Sequence, residues 1–221
     1  MRINPPLYRH QSFSSLPAGI TAAHIAETCR SAGVAFVNGV PTGWGKRELA
    51  HWFAESYAGA VKYASRNAHT PVDLIAHAGV DERDIDHVLL DARLAVITAL
   101  EEAALPRGRA SFVDNVLACR LVAPCNVGGQ SGWVPADAPH LRLKSRVLAL
   151  FAVDVLVRPE DYANALLVCH GCEAVVFGVE AVRRGNCGAH DAVVTAEPSP
   201  SSPSPSSPPP PDRHDTRPGL G

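Results

Sequence analysis

The feature that most constrains the fold is a group of cysteines and histidines near the C-terminal end. The chain reads Cys169-His-Gly-Cys172, then fourteen residues, then Cys187-Gly-Ala-His190. Two residues between paired ligands allow a tight turn to direct both side chains at one ion, as in small tetrahedral zinc sites. We therefore predict a structural zinc ion that is held by Cys169, Cys172, Cys187 and His190.

The residues around the first pair predict the turn that presents it. An apolar run at 165–168 precedes the pair and another at 174–177 follows it, which places the pair at the tip of a β-hairpin. Gly171 and Gly188 lie inside the two ligand pairs, where the backbone approaches the metal or adopts positive φ. The segment from about 166 to 194 resembles a zinc ribbon or treble clef. That class is usually structural and often mediates contacts with nucleic acid or protein.

Other interpretations of these residues stay open at this point. His170 can replace Cys169 or Cys172 as a ligand, although the regular two-residue gap favours the cysteines. The cysteines can also be ordinary buried thiols, whereas a disulfide would need an oxidising compartment. A zinc deaminase pairs Pro-Cys-x-x-Cys with an upstream His-x-Glu, but here Val168 precedes the pair and no His-x-Glu occurs upstream. A structural metal ion is the favoured interpretation.

Apolar residues at three-to-four-residue spacing predict a mainly helical body before the zinc module. Caps and helix breakers set the expected bounds. The first predicted helix begins after Thr21, buries Cys29 and ends at Gly33. The others are a helix from Lys46 to Asn67, a long helix capped by Asp81 that ends before Pro106, a helix that begins at Ser111, and a mostly buried helix over Leu141–Val157.

Composition divides the chain into three parts. With 221 residues and 46% apolar content, the chain can bury a sizeable core. From residue 197 the sequence is rich in proline and serine, so it cannot bury enough apolar surface to offset the entropy of ordering. We predict a mainly α protein with a helical domain (1–164), a zinc-ribbon-like module with a small β-hairpin (165–196) and a disordered Pro/Ser tail (197–221).

The charge distribution and the apolar runs limit the classes of partner. A formal net charge of −2 gives no overall nucleic-acid footprint. Basic residues near the module can form a local phosphate-contacting patch, but nearby acidic residues favour solvated surface charge instead. These basic residues are Arg142, Lys144, Arg146, Arg183 and Arg184. No apolar run is long enough to span a bilayer, and the first residues lack a signal-peptide pattern, so we expect a cytoplasmic protein without a membrane partner.

Three function classes are compatible with these features. The favoured one is a non-enzymatic adaptor or regulatory protein, in which the zinc module stabilises a docking surface for a protein partner. The second is a zinc-ribbon protein that binds nucleic acid. The third is a cysteine-dependent enzyme that uses Cys125, which lies in a predicted glycine-rich loop at 124–132. For Cys125 itself, a buried or idle thiol is the favoured interpretation.

Overall fold

The computed structural model describes residues 19–62, 84–127, 130–136 and 141–189. These residues are mainly helical and include two small antiparallel hairpins, which confirms the predicted fold class. The predicted Pro/Ser tail, the predicted cap at Asp81 and the predicted fourth ligand His190 lie outside the described residues. In the described part of the chain, no helix combines the length and the apolar character that a bilayer crossing requires.

The order of the elements places the second hairpin after most of the helices. The helices are α1 (Ala22–Gly39), α2 (Lys46–Trp52), α3 (Ala58–Val61), α4 (Ile85–Ala104), α5 (Pro106–Ala118), α6 (Leu143–Val157), α7 (Pro159–Asn164) and α8 (Val179–Arg184). A 3-10 turn (Val40–Thr42) follows α1, and a π-helical turn (Phe53–Tyr57) joins α2 to α3. The strands are β1 (Val122–Val127) paired with β2 (Gln130–Pro135), and β3 (Leu166–Val168) paired with β4 (Val175–Phe177).

Helix α6 lies at the centre of the core and confirms the buried helix predicted for this stretch. Its side chains are buried around most of its circumference, so it is enclosed by the other elements. Helix α1 packs closely against it at Gly33, where an added Cβ would lie 2.7 Å from the Phe151 ring. The predicted helix end at Gly33 is therefore wrong. This glycine allows two helices to approach each other, and α1 continues to Gly39.

Two further boundaries differ from the predictions. Helix α5 begins at Pro106 rather than Ser111, because proline has no N–H and is well suited to the first helical position. The predicted loop at 124–132 is instead the β1–β2 hairpin, in which Cys125 is paired with Gly132. The helix predicted over Lys46–Asn67 is described as α2, the π-helical turn and α3, and residues 63–67 lie outside the described ranges.

A buried ionic network ties α1, α6 and α7 together around Asp154, whose side chain is fully buried. Arg30 Nε donates to Asp154 Oδ2 at 2.7 Å, and Arg158 Nε donates to Oδ1 at 2.8 Å. The Tyr162 hydroxyl donates to Oδ2 at 2.8 Å. A buried carboxylate is tolerated when its oxygens are fully hydrogen-bonded and its charge is paired, and both conditions hold here.

Candidate metal centre

Three cysteine sulfurs meet at the tip of the β3–β4 hairpin. The sulfurs of Cys169, Cys172 and Cys187 all lie within 4.8 Å of one another. The Cys172 and Cys187 sulfurs are 3.5 Å apart. Thiolates bound to one zinc ion at about 2.3 Å in a tetrahedron are separated by about 3.8 Å, so this spacing fits a shared ion. The three cysteines could therefore hold a metal ion.

The first two cysteines are positioned by the turn that joins β3 to β4, as the sequence predicts. The Cys169 N–H donates to the Ala174 carbonyl at 3.0 Å, which extends the strand pairing by one step. The Glu173 N–H donates to the Cys169 carbonyl at 2.6 Å and closes the turn. Glu173 has a φ of 55°, in the left-handed region that non-glycine residues seldom occupy. Its backbone is therefore held by the turn and by the contacts described below.

The third cysteine, Cys187, lies in the segment that follows α8. Gly185 ends this helix with a φ of +70° and donates its N–H to the Ala181 carbonyl at 2.9 Å. Gly188 has a φ of +80°, and its N–H donates to Asn186 Oδ1 at 3.1 Å. Glycine is favoured at both positions because these φ values are strained for other residues. The two turns bring Cys187 back to the hairpin tip.

The backbone around the site favours a thiolate at its inner sulfur. Cys169 is buried, and hydrogen bonds from backbone N–H groups lower the pKa of its thiol. The donors, from the largest effect to the smallest, are Gly171, Cys172 and Cys187. For the exposed Cys172, the Ala174 N–H lowers the pKa, but desolvation and the neighbouring sulfurs outweigh it, so the net pKa is raised. A cation between the sulfurs would relieve that mutual repulsion.

An arginine from the helical body holds the turn that carries the first two cysteines. Arg93 lies on α4 and is only 7% exposed. Its Nη1 donates to Glu173 Oε2 at 2.6 Å and its Nη2 donates to the Glu173 carbonyl at 3.2 Å. Its Nε donates to the Val37 carbonyl of α1 at 3.0 Å. One buried side chain therefore joins α1, α4 and the residue directly after Cys172.

A second polar contact holds β4 against α1. Asn38 Nδ2 donates to the Val175 carbonyl at 2.9 Å, and the Val175 N–H donates to Asn38 Oδ1 at 2.8 Å. Neither Asn38 nor Arg93 was among the residues predicted from the sequence to act at this site. A signal was present for Arg93, because it lies between Leu89 and Val96 on the buried stripe of α4, where an unpaired charge is unfavourable.

Apolar contacts join the hairpin to the same core as the helices. Leu166, Val168 and Val175 are buried in that core. Phe177 packs edge-on against Tyr162 with ring centroids 5.2 Å apart, and the Arg30 guanidinium lies 4.1 Å from the centre of the Phe177 ring. The hairpin that carries the candidate metal centre is therefore supported by both apolar packing and the Asp154 network.

The other residues singled out in the sequence lie away from this cluster. Cys125 is buried in β1, and burial raises the pKa of its thiol, which disfavours a reactive thiolate. Arg146 cannot belong to the predicted basic patch, because it is 1% exposed and donates to the Leu141 carbonyl and the Tyr57 hydroxyl.

His170 is exposed and is not part of the sulfur cluster. His190 stays a predicted ligand.

No protein-family model, curated protein or solved structure matches the chain. The fold and the site therefore define a general class, a mainly helical protein with a three-cysteine cluster that could hold a metal ion.

Proposed function

We propose that the protein is a non-enzymatic zinc-binding adaptor or regulatory protein, in which the metal ion stabilises a docking surface for a protein partner. The observation that carries this proposal is the convergence of Cys169, Cys172 and Cys187 on a hairpin that is fixed to the helical body. A docking surface needs a fixed shape. A small exposed turn would keep its shape if the proposed metal ion held its tip and the helical body held its base.

Zinc is the metal that the donor set favours. Thiolate ligands select zinc, copper(I) or iron–sulfur clusters over magnesium and calcium, and zinc commonly takes three cysteines with one histidine. His190 follows Cys187 with two residues between them and would complete this ligand set. A site with four protein ligands has no open position for a substrate or water, so the ion would be structural. The residues from about 166 to 194 would then form a zinc-ribbon-like module.

The surface beside the cluster favours a protein partner over nucleic acid. Helix α8 exposes two apolar side chains, Val179 at 49% and Val182 at 37%. On the same helix, Arg183 Nη1 donates to Glu180 Oε1 at 2.7 Å, so these two charges offset each other. A phosphate-binding surface needs uncompensated positive charge, whereas exposed apolar groups beside paired charges are common where proteins dock.

Metal analysis of the purified full-length chain tests the zinc site. We expect about one zinc per chain, and a Cys172→Ser, Cys187→Ser double variant should lose it. Cys119→Ser is the matched control, because Cys119 is exposed and lies outside the sulfur cluster. Zinc content near zero after expression in zinc-replete medium, or unchanged content in the double variant, would contradict the proposal.

The adaptor function needs its own test. Proteins that copurify with the chain from its native cells should be lost in the double variant and kept in Cys119→Ser, with circular dichroism showing that the helices persist. Binding to nucleic acid that falls steeply with salt would instead support the nucleic-acid alternative. An activity that is lost in Cys125→Ser with zinc retained would support an enzyme and overturn the adaptor.

A further inference from the structure

The three sulfurs of the cluster differ in their access to solvent. Cys169 is only 2% exposed. Cys172 is exposed and Cys187 is partly exposed, and their sulfurs are the pair 3.5 Å apart. Small reagents in solution can therefore reach the two outer sulfurs, whereas the inner sulfur is covered by protein.

The geometry also favours one particular bond between these sulfurs. A disulfide has an S–S distance of about 2.05 Å, so the outer pair must approach by about 1.5 Å from its separation of 3.5 Å. Cys187 lies in a short segment between Gly185 and Gly188, where glycines ease a small backbone adjustment. Cys169 is held in place by its backbone hydrogen bonds and by burial. The favoured partner for Cys172 is therefore Cys187 rather than Cys169.

We propose that Cys172 and Cys187 form a peroxide-sensitive pair, and that their oxidation to a disulfide releases the metal ion. This inference rests on the proposed zinc site. As a ligand of the proposed zinc ion, Cys172 would be a thiolate, and its sulfur attacks one oxygen of hydrogen peroxide. The O–O bond breaks, one hydroxide leaves, and Cys172 becomes a sulfenic acid. The Cys187 thiolate then attacks that sulfur, the S–O bond breaks, and a second hydroxide leaves. Two protons from solvent convert the hydroxides to water, so two thiolates lose the two electrons that the peroxide gains.

The reaction removes two of the predicted ligands at once. Cys169 and His190 would remain, and two ligands do not complete a structural zinc site. Glu173 directly follows Cys172 and is bound to Arg93 through its carboxylate and its carbonyl. Because this contact holds the residue next to Cys172, the two sulfurs approach mainly by movement of the glycine-flanked segment that carries Cys187.

The test uses the zinc-loaded full-length chain and hydrogen peroxide. Zinc release is followed with a chromogenic chelator, and disulfides are mapped by mass spectrometry after proteolysis. We expect about one zinc to be released per chain, in step with a Cys172–Cys187 linkage, and to be rebound after a thiol reductant and zinc are added. Cys119→Ser is the control and should release zinc to the same extent, because Cys119 is exposed but not part of the cluster.

The other outcomes contradict the switch, the reactive pair or the zinc site. Zinc that is retained while Cys119 oxidises would overturn the switch and leave the zinc site intact. Zinc release with a disulfide that contains Cys169, or with no disulfide, would overturn the assignment of the reactive pair. A chain that carries no zinc before peroxide is added would overturn the proposed function and the switch together.

Discussion

Arg93 binds Glu173 through two different groups, with one nitrogen on the carboxylate at 2.6 Å and another on the backbone carbonyl at 3.2 Å. Because Glu173 has a left-handed backbone and directly follows Cys172, this contact fixes the conformation of the turn as well as its position. The helical body therefore helps to shape the candidate metal centre.

Substitutions at Arg93 and Glu173 should separate the contribution of the Glu173 carboxylate from that of the buried Arg93 guanidinium. Glu173→Gln removes a partly exposed charge, so it should lower the free energy of unfolding by only about 1 kcal/mol and weaken zinc binding several-fold. Arg93→Met should cost more, about 2–3 kcal/mol, because the buried Val37 carbonyl loses its donor. Urea denaturation and zinc competition titrations measure both effects. Arg183→Met, at an exposed ion pair, is the control and should change neither quantity appreciably.

Gly33 should not tolerate a larger side chain. In Gly33→Ala, the new Cβ would lie 2.7 Å from the Phe151 ring, so we expect a loss of about 1–3 kcal/mol despite the better helix propensity of alanine. Gly59→Ala is the matched control, because an added Cβ on this helical glycine would meet no other side chain of the described residues within 4 Å. The control should raise stability by about 0.4–1 kcal/mol. Equal effects at the two sites would contradict the packing role of Gly33.

Tyr162 should make the protein less stable at high pH. Burial raises its pKa well above the usual value of 10.0, and the nearby Asp154 charge adds to the shift. Above about pH 10 the unfolded state loses this proton while the folded state keeps it, so stability falls as pH rises, by about 1 kcal/mol per pH unit. Tyr162→Phe removes this contribution. Urea denaturation at pH 9 and pH 11 should therefore show a smaller loss in the variant, and equal losses would contradict the assignment.

Removal of the proposed zinc ion should affect the predicted module more than the helical body. We expect chelation to reduce protection from hydrogen exchange over about 166–194, because the turns around the cysteines are polar and rich in glycine. Helices from Lys46 to Leu156 should stay protected. Exchange measured by mass spectrometry with and without chelator reports on each segment. A simultaneous loss of protection throughout would show that the module and the body unfold as one unit, and no change would argue against a structural ion.

The features that the sequence predicted correctly depend on local patterns. The apolar runs on either side of Cys169 and Cys172 predict a hairpin, and the structure has β3 and β4 there. The buried helix α6 is recognisable because its apolar residues continue over most of its length. In both cases the pattern that specifies the element lies within the element itself.

The features that were missed depend on residues that are distant in sequence. Gly33 resembles a helix end until Phe151 is known to pack against it. The role of Arg93 becomes clear only when the turn at Glu173, which lies eighty residues later in the sequence, is seen to dock on α4. The β1–β2 hairpin was also missed, although the sequence pattern that predicts a hairpin lies within it. The sequence has Gly128-Gly129 between two short runs, which is a pattern typical of a hairpin.

Asn38 has a consequence for how other chains can approach the hairpin. Its side-chain amide occupies both the N–H and the carbonyl of Val175, which are the groups that an incoming strand would use at that position. Exposed strand edges are common starting points for aggregation, and proteins often cover them. Here a single asparagine from α1 protects the edge of β4 at Val175. Strand addition is therefore blocked at this position.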